Sequence, residues 1–134
     1  MLLPKGTVFA VVDGEKFELH RNNGTETDPK LEKMSVPELD ETNKSAGMRH
    51  HANTGNPSDD QLDEDAHVTA IAEWLNNQVL THKIDKLVII ADPRSLGEMR
   101  RYYHKELEKV LICDLDRTLT GSSGDEIVTA LRNK

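Results

Sequence analysis

The chain has one cysteine in 134 residues, so no disulfide can close within it. Cys113 lies in an apolar run, with no histidine or base directly before it to lower its pKa. It is expected to be a buried, unreactive thiol. Long apolar runs are also missing. None approaches the roughly 18 residues of a membrane-spanning helix, so no membrane segment is expected. The opening residues, MLLPKGTVFAVVDG, lack the charged start, apolar stretch and small-residue cleavage site of a secretory leader, and the expected compartment is the cytoplasm. The glycosylation-like triplets at Asn23 and Asn43 then carry no meaning. A positive surplus is absent as well. Seventeen Lys and Arg face 24 Asp and Glu, a net charge of −7, which is not the balance of a nucleic-acid binder overall. The excess sits in one place. Residues 22–66 hold eleven acids and four bases, and the rest of the chain is neutral. No GxSxG, HExxH, P-loop or CxxC occurs, and no Ser-His-Asp set follows from spacing. Nothing here argues for an enzyme or for a cofactor.

What is present is a polar globular composition, 36% hydrophobic and 31% charged, of a length that suits one domain. The run 6–12, GTVFAVV, is rich in strand formers. Asp13-Gly14 after it predicts a tight type I′ hairpin turn, in which both central residues need positive φ. Residues 16–21, KFELHR, then alternate as a second strand, and 30–34, KLEKM, form a third. Residues 35–57 carry two Pro, two Gly and little to bury, and are expected to be a mobile acidic loop. Ser58 and Gln61 fit a capping box that opens a helix to about His82. Its Val68, Ile71, Ala72, Leu75 and Val79 share one stripe, with Trp74 at the edge. Residues 86–91, KLVIIA, read as a strand covered on both faces. Asp92 and Pro93 suit the N-cap and first turn of a second helix, reaching about Tyr103. Residues 110–116 form another strand, and Ser123 with Glu126 caps a last helix through Leu131. The order is hairpin, third strand, then α-β-α-β-α, which means one α/β domain with a mixed sheet, antiparallel at one side and parallel at the other.

Several groupings could carry chemistry. The stretch DLDRTLT, 114–120, resembles the DxDx[TV] opening of the haloacid-dehalogenase phosphotransferases, where the first Asp attacks phosphorus and the second handles a proton. Only eighteen residues follow Asp116, too few for the rest of that machinery, and Arg117 stands where the family usually has Gly. A strand ending in polar residues, with Leu119 packing inward, is the better account. His50, His51, Asp59, Asp60, Asp63 and His67 form a loose His/Asp cluster. Zinc wants four convergent ligands from rigid positions, and two of these lie in the loop, so no metal site is expected. Asp92-Pro93-Arg94 places a helix N-terminus beyond a parallel strand, in the crevice where α/β sheets bind ligands. Arg94, Arg100, Arg101, Tyr102, Tyr103, His104, Lys105 and Lys109 make a basic-aromatic patch, on and after the second helix, that suits RNA phosphates and bases. The expected binding surface is therefore Asp13, Asp92, Arg94 and Arg100 at the crevice, continued by Arg101 and Lys105.

Taken together, IDKLVIIADPRSLGEMR (84–100), VLICDLDRTLT (110–120), DEI (125–127) and the VFAVVDGEKFELHR hairpin resemble the bacterial host attachment proteins, named for being required for attachment to host cells. The resemblance covers about 6–34 and 59–132. It implies a non-enzymatic interaction or regulatory protein, acting on an unknown protein partner and on attachment only indirectly. That family is in turn similar to the middle domain of eukaryotic-type peptide-chain release factors and to ribosomal proteins of the S11/L18 kind. This implies a ribonuclease-H-like three-layer domain, and as a second reading an RNA- or ribosome-associated factor. In the release factors a Gly-Gly-Gln loop before the long helix promotes peptidyl-tRNA hydrolysis. Here that loop reads HANTGNPSDDQ, 51–61, and Gly-Gly-Gln occurs nowhere in the chain. A phosphatase acting through Asp114 and Asp116 is a third, weaker reading.

Overall fold

A computed structural model describes residues 3–39 and 59–133. Five strands form one sheet, in the order β3-β2-β1-β4-β5. They are β1 (Val8–Val12), β2 (Phe17–Asn22), β3 (Leu31–Met34), β4 (Leu87–Ala91) and β5 (Leu111–Asp116). The first three pair antiparallel, whereas β4 runs parallel to β1, and β5 to β4. The helices are α1 (Asp59–Leu80), α2 (Pro93–Arg100), α3 (Lys105–Val110) and α4 (Gly124–Arg132). This is the α/β, three-layer, mixed-sheet architecture the sequence predicts. No described helix is long and apolar enough to cross a membrane.

The two central strands explain the layers. Val8, Ala10 and Val12 of β1, with Leu87, Ile89 and Ala91 of β4, pack against Val68, Ile71, Leu75 and Val79 of α1 and Leu96, Met99 and Leu107 of α2 and α3. Phe9, Val11, Val88 and Ile90 face the other way, onto Ile127, Ala130 and Leu131 of α4 and onto Leu3. Alternate residues thus feed two cores, which is why both runs are apolar throughout. The stripe of α1 is buried as predicted, and Trp74 closes its edge against Phe17, ring centroids 5.8 Å apart. Cys113 is half-buried rather than sealed, and it joins the α4 core with Leu119.

Three local details differ from the sequence reading, and another, the closure of α1, adds to it. The β1–β2 turn is not type I′, because neither Asp13 nor Gly14 has positive φ. It spans residues 13–16, and the Asp13 carboxylate organises it by accepting from the backbone N–H of Glu15 (2.8 Å) and Lys16 (2.6 Å). Second, α2 stops at Arg100, and a separate short helix, α3, absorbs Val110. His104 caps α3, its Nδ1 accepting from the N–H of Glu106 at 3.0 Å. Third, α1 ends with His82 at φ 62°, while the Lys83 N–H donates to the Gln78 carbonyl at 2.8 Å. This is the left-handed closure usually given to Gly or Asn. Fourth, β5 carries a bulge. Leu111 pairs with Leu87 and Cys113 with Val88, so Ile112 is the extra residue. The slip reverses the faces beyond it. Cys113 and Leu115 reach the α4 core, and Asp114 and Asp116 face the α1–α3 layer. The expected loop at 35–57 and the Ser58 cap fall largely outside the described residues, as do His50, His51 and the side chains of Asp59 and Asp60.

Candidate functional site

Parallel strands end together, so the residues after them converge. Asp13 follows β1, Asp92 follows β4 and Thr118 follows β5. With Gly14, Glu15 and Glu64 they line a cavity of about 370 Å³ at the carboxyl edge of the sheet. This is the crevice expected from Asp92-Pro93, and it is predominantly acidic.

Its carboxylates are committed to different degrees. Asp13 holds its own turn through Oδ1, while its Oδ2 accepts from the Thr120 hydroxyl at 2.7 Å. Burial pushes its carboxyl up, but the Thr120 hydroxyl, the two backbone N–H groups and nearby Lys16 together hold it below the usual carboxylate range. Asp13 is therefore an ionised anchor of the local structure. Asp92 caps α2, its Oδ2 accepting from the Ser95 N–H at 3.1 Å, and its other oxygen is buried with no hydrogen bond from the described residues. Glu64, from the first turns of α1, lies so close over Gly14 that a Cβ there would overlap its carboxylate. Gly14 leaves room for that close approach and does not adopt positive φ.

Arg94 sits at the rim. Its Nη1 donates to Glu64 Oε2 and its Nη2 to Asp65 Oδ1, both at 2.9 Å, clasping α2 to α1. Burial and the neighbouring Glu98 raise the Asp65 carboxyl above its usual range against the pull of Arg94. Arg100, at the other end of α2, grips Asp114 of β5 with two bonds, Nε to Oδ2 at 2.9 Å and Nη2 to Oδ1 at 2.7 Å. The bulge in β5 makes this grip geometrically available. Tyr103 adjoins the same carboxylate, and burial and Asp114 together push its phenol well above the ordinary value. Arg101 pairs with Glu98 at 3.2 Å, and its guanidinium lies 6.0 Å from the centroid of the Tyr102 ring. Lys105 opens α3, is exposed, and has no carboxylate partner among the described residues.

The structure thus divides the six expected residues. Asp13 and Asp92 share the crevice, Arg94 borders it, and Arg100, Arg101 and Lys105 belong to a second surface at the end of α2 and the start of α3. Sequence reasoning missed Glu64, Asp65, Thr118 and Thr120 at the crevice. Glu64 and Asp65 carry no local signal that sets them apart from other helix-surface acids, and only the topology brings them to Arg94. Among the described residues no three His, Cys, Asp or Glu converge to hold a metal ion. Asp114, the would-be phosphatase nucleophile, faces the Arg100 fork rather than open space.

The model of bacterial archaeo-eukaryotic release factor family 12 matches residues 6–131. A search among curated proteins finds no match.

Proposed function

The chain belongs to bacterial archaeo-eukaryotic release factor family 12, and from that premise we propose that it is a ribosome-associated binding factor that makes its contact through RNA. The observation that carries this reading is the family match over 126 of the 134 residues, 6–131. The end of α2 and the start of α3 support it locally, with Arg101, Tyr102 and Lys105 all exposed within five residues of chain. Catalysis of peptide release is not part of the proposal, because the chain has no Gly-Gly-Gln. Net charge opposes tight binding to a polyanion. The contact is accordingly local, and sensitive to salt only through a few phosphates. A requirement in attachment to host cells, implied by the resemblance of 84–100, is on this reading indirect and acts through translation.

The test is co-sedimentation of the purified protein with ribosomes from its own cells, at about 50 mM and about 200 mM salt. The expected result is association at both, weakened when Arg101→Ala is combined with Lys105→Ala. Arg100 is left in place because it holds Asp114. Absence of association at either salt refutes the proposal and returns the search to a protein partner.

A further inference from the structure

The 101–104 connection between α2 and α3 is short, exposed and yet held in place. The Asn76 side chain of α1 clamps it twice. Its Nδ2 donates to the Tyr102 carbonyl at 2.7 Å, and its Oδ1 accepts from the His104 N–H at 2.9 Å. The Tyr102 N–H donates to the Met99 carbonyl at 2.9 Å. Clamped on both sides, the backbone nevertheless presents Tyr102 outward, its residue surface 39% exposed. Its neighbour Tyr103 is turned inward against the core. A large aromatic ring exposed on a fixed backbone loses little freedom when something stacks on it. Two cations lie close in the chain: Arg101, whose guanidinium is 6.0 Å from the ring centroid and pairs with Glu98 through an exposed contact, and Lys105, three residues on, exposed and without a carboxylate partner among the described residues.

We propose that Tyr102 is a stacking platform for an unpaired RNA base, with Arg101 and Lys105 taking the adjoining phosphates. An aromatic face with two cations fits a single strand, whose bases are free to stack. It does not fit a duplex, whose bases are already stacked and which would offer the site its phosphates alone. The inference rests on the ribosome-associated reading and names the part of the ribosome's RNA that such a factor would touch.

The test is fluorescence anisotropy of a labelled, unstructured RNA dodecamer titrated with the full chain at low salt, beside the same strand in a duplex. Ribosome co-sedimentation is run on the same variants. The single strand should bind at least about tenfold more tightly than the duplex. Tyr102→Ala should weaken the single strand about 5- to 150-fold, the range for loss of one stacked base. Tyr102→Phe should stay within about twofold of the parent, since the ring and not the hydroxyl makes the contact. Three oligonucleotide results overturn the proposal: no binding of the single strand, equal binding of strand and duplex, or Tyr102→Ala binding the strand like the parent. If Tyr102→Ala still co-sediments like the parent, the platform fails and the ribosomal reading stands. If the parent itself does not co-sediment, that reading fails, and loss of oligonucleotide binding in Tyr102→Ala would still support the platform.

Discussion

Replacing Asn22 by alanine tests the account of how the N-terminal segment is held. Asn22 is fully buried at the end of β2. Its Nδ2 donates to the carbonyls of Leu3 (2.9 Å) and Thr25 (3.2 Å), with a longer contact to Pro4. Its Oδ1 accepts from the N–H groups of Gly24 (2.9 Å) and Lys30 (3.0 Å). One side chain therefore ties the segment before β1 to the loop between β2 and β3. Leu3 belongs to the α4 core, so this tie also seats an apolar anchor. Alanine removes four good hydrogen bonds, each contributing about 1 kcal/mol net. It also strands backbone groups, of which the more exposed ones at Thr25 and Lys30 can turn to water. The expected loss is about 3–5 kcal/mol, a large share of the roughly 5–15 kcal/mol available to a domain. Urea unfolding should show a lower midpoint with an unchanged slope. Asn22→Asp should lose a similar amount, because a carboxylate accepts from Gly24 and Lys30 but cannot donate to Leu3 or Thr25. A loss below about 1 kcal/mol for alanine, the size typical of surface positions, would refute the reasoning.

Three further outcomes follow from particular residues. His82→Gly should raise stability by about 0.5–1 kcal/mol in the same urea assay, since φ 62° is strained for a side chain and open to glycine. His20 is buried, and burial, outweighing nearby Glu18, lowers its pKa below the ordinary 6.5. The unfolded chain then binds the proton more readily, so stability is present above about pH 6.5 and falls as pH drops through that value; His20→Leu should flatten this fall in thermal melts at pH 7 and pH 5.5. Incubation with Mg²⁺ and a generic phosphate ester should give no turnover above a buffer blank, and turnover abolished by Asp114→Asn would revive the phosphatase reading.

The parts of the fold legible in the sequence are those decided by neighbours in the chain. The apolar runs of β1 and β4 announce central strands because both faces of each are covered. Asp92-Pro93 and the Ser123-Glu126 box announce helix starts because capping needs only side chains within three residues, and both caps are formed. What escaped depends on tertiary partners. The bulge at Ile112 is chosen by the register against β4, which no local pattern encodes. The turn at Asp13-Gly14 looked like a glycine turn, but the carboxylate of Asp13 supplies the acceptors, and Gly14 serves the approach of Glu64 instead. In α3, Leu107 is the one fully buried side chain, too little apolar pattern to separate this helix from the strand that follows.

The same limit explains the candidate surface, and it changes what kind of binding the chain can perform. In sequence, Arg94, Arg100 and Arg101 look like one positive stripe. In the fold each has a carboxylate partner, from α1, β5 and α2 respectively. Two of these pairings join elements about thirty and fourteen residues apart, so they act as struts that position α2. The guanidinia of Arg94 and Arg100, each held by two short bonds to carboxylates, are poor first contacts for phosphate, because the incoming anion must displace a partner already in place; Arg101, 69% exposed and 3.2 Å from Glu98, exchanges its partner more readily. Among the described residues the groups left for binding at this surface are few, chiefly Lys105, the exposed Tyr102 ring and the loosely paired Arg101. Binding built on them draws on stacking with one or two phosphates, and its salt dependence should be shallow, a slope of about −1. A net charge of −7 is compatible with an RNA contact of that kind, since it depends little on the long-range field that an acidic chain lacks.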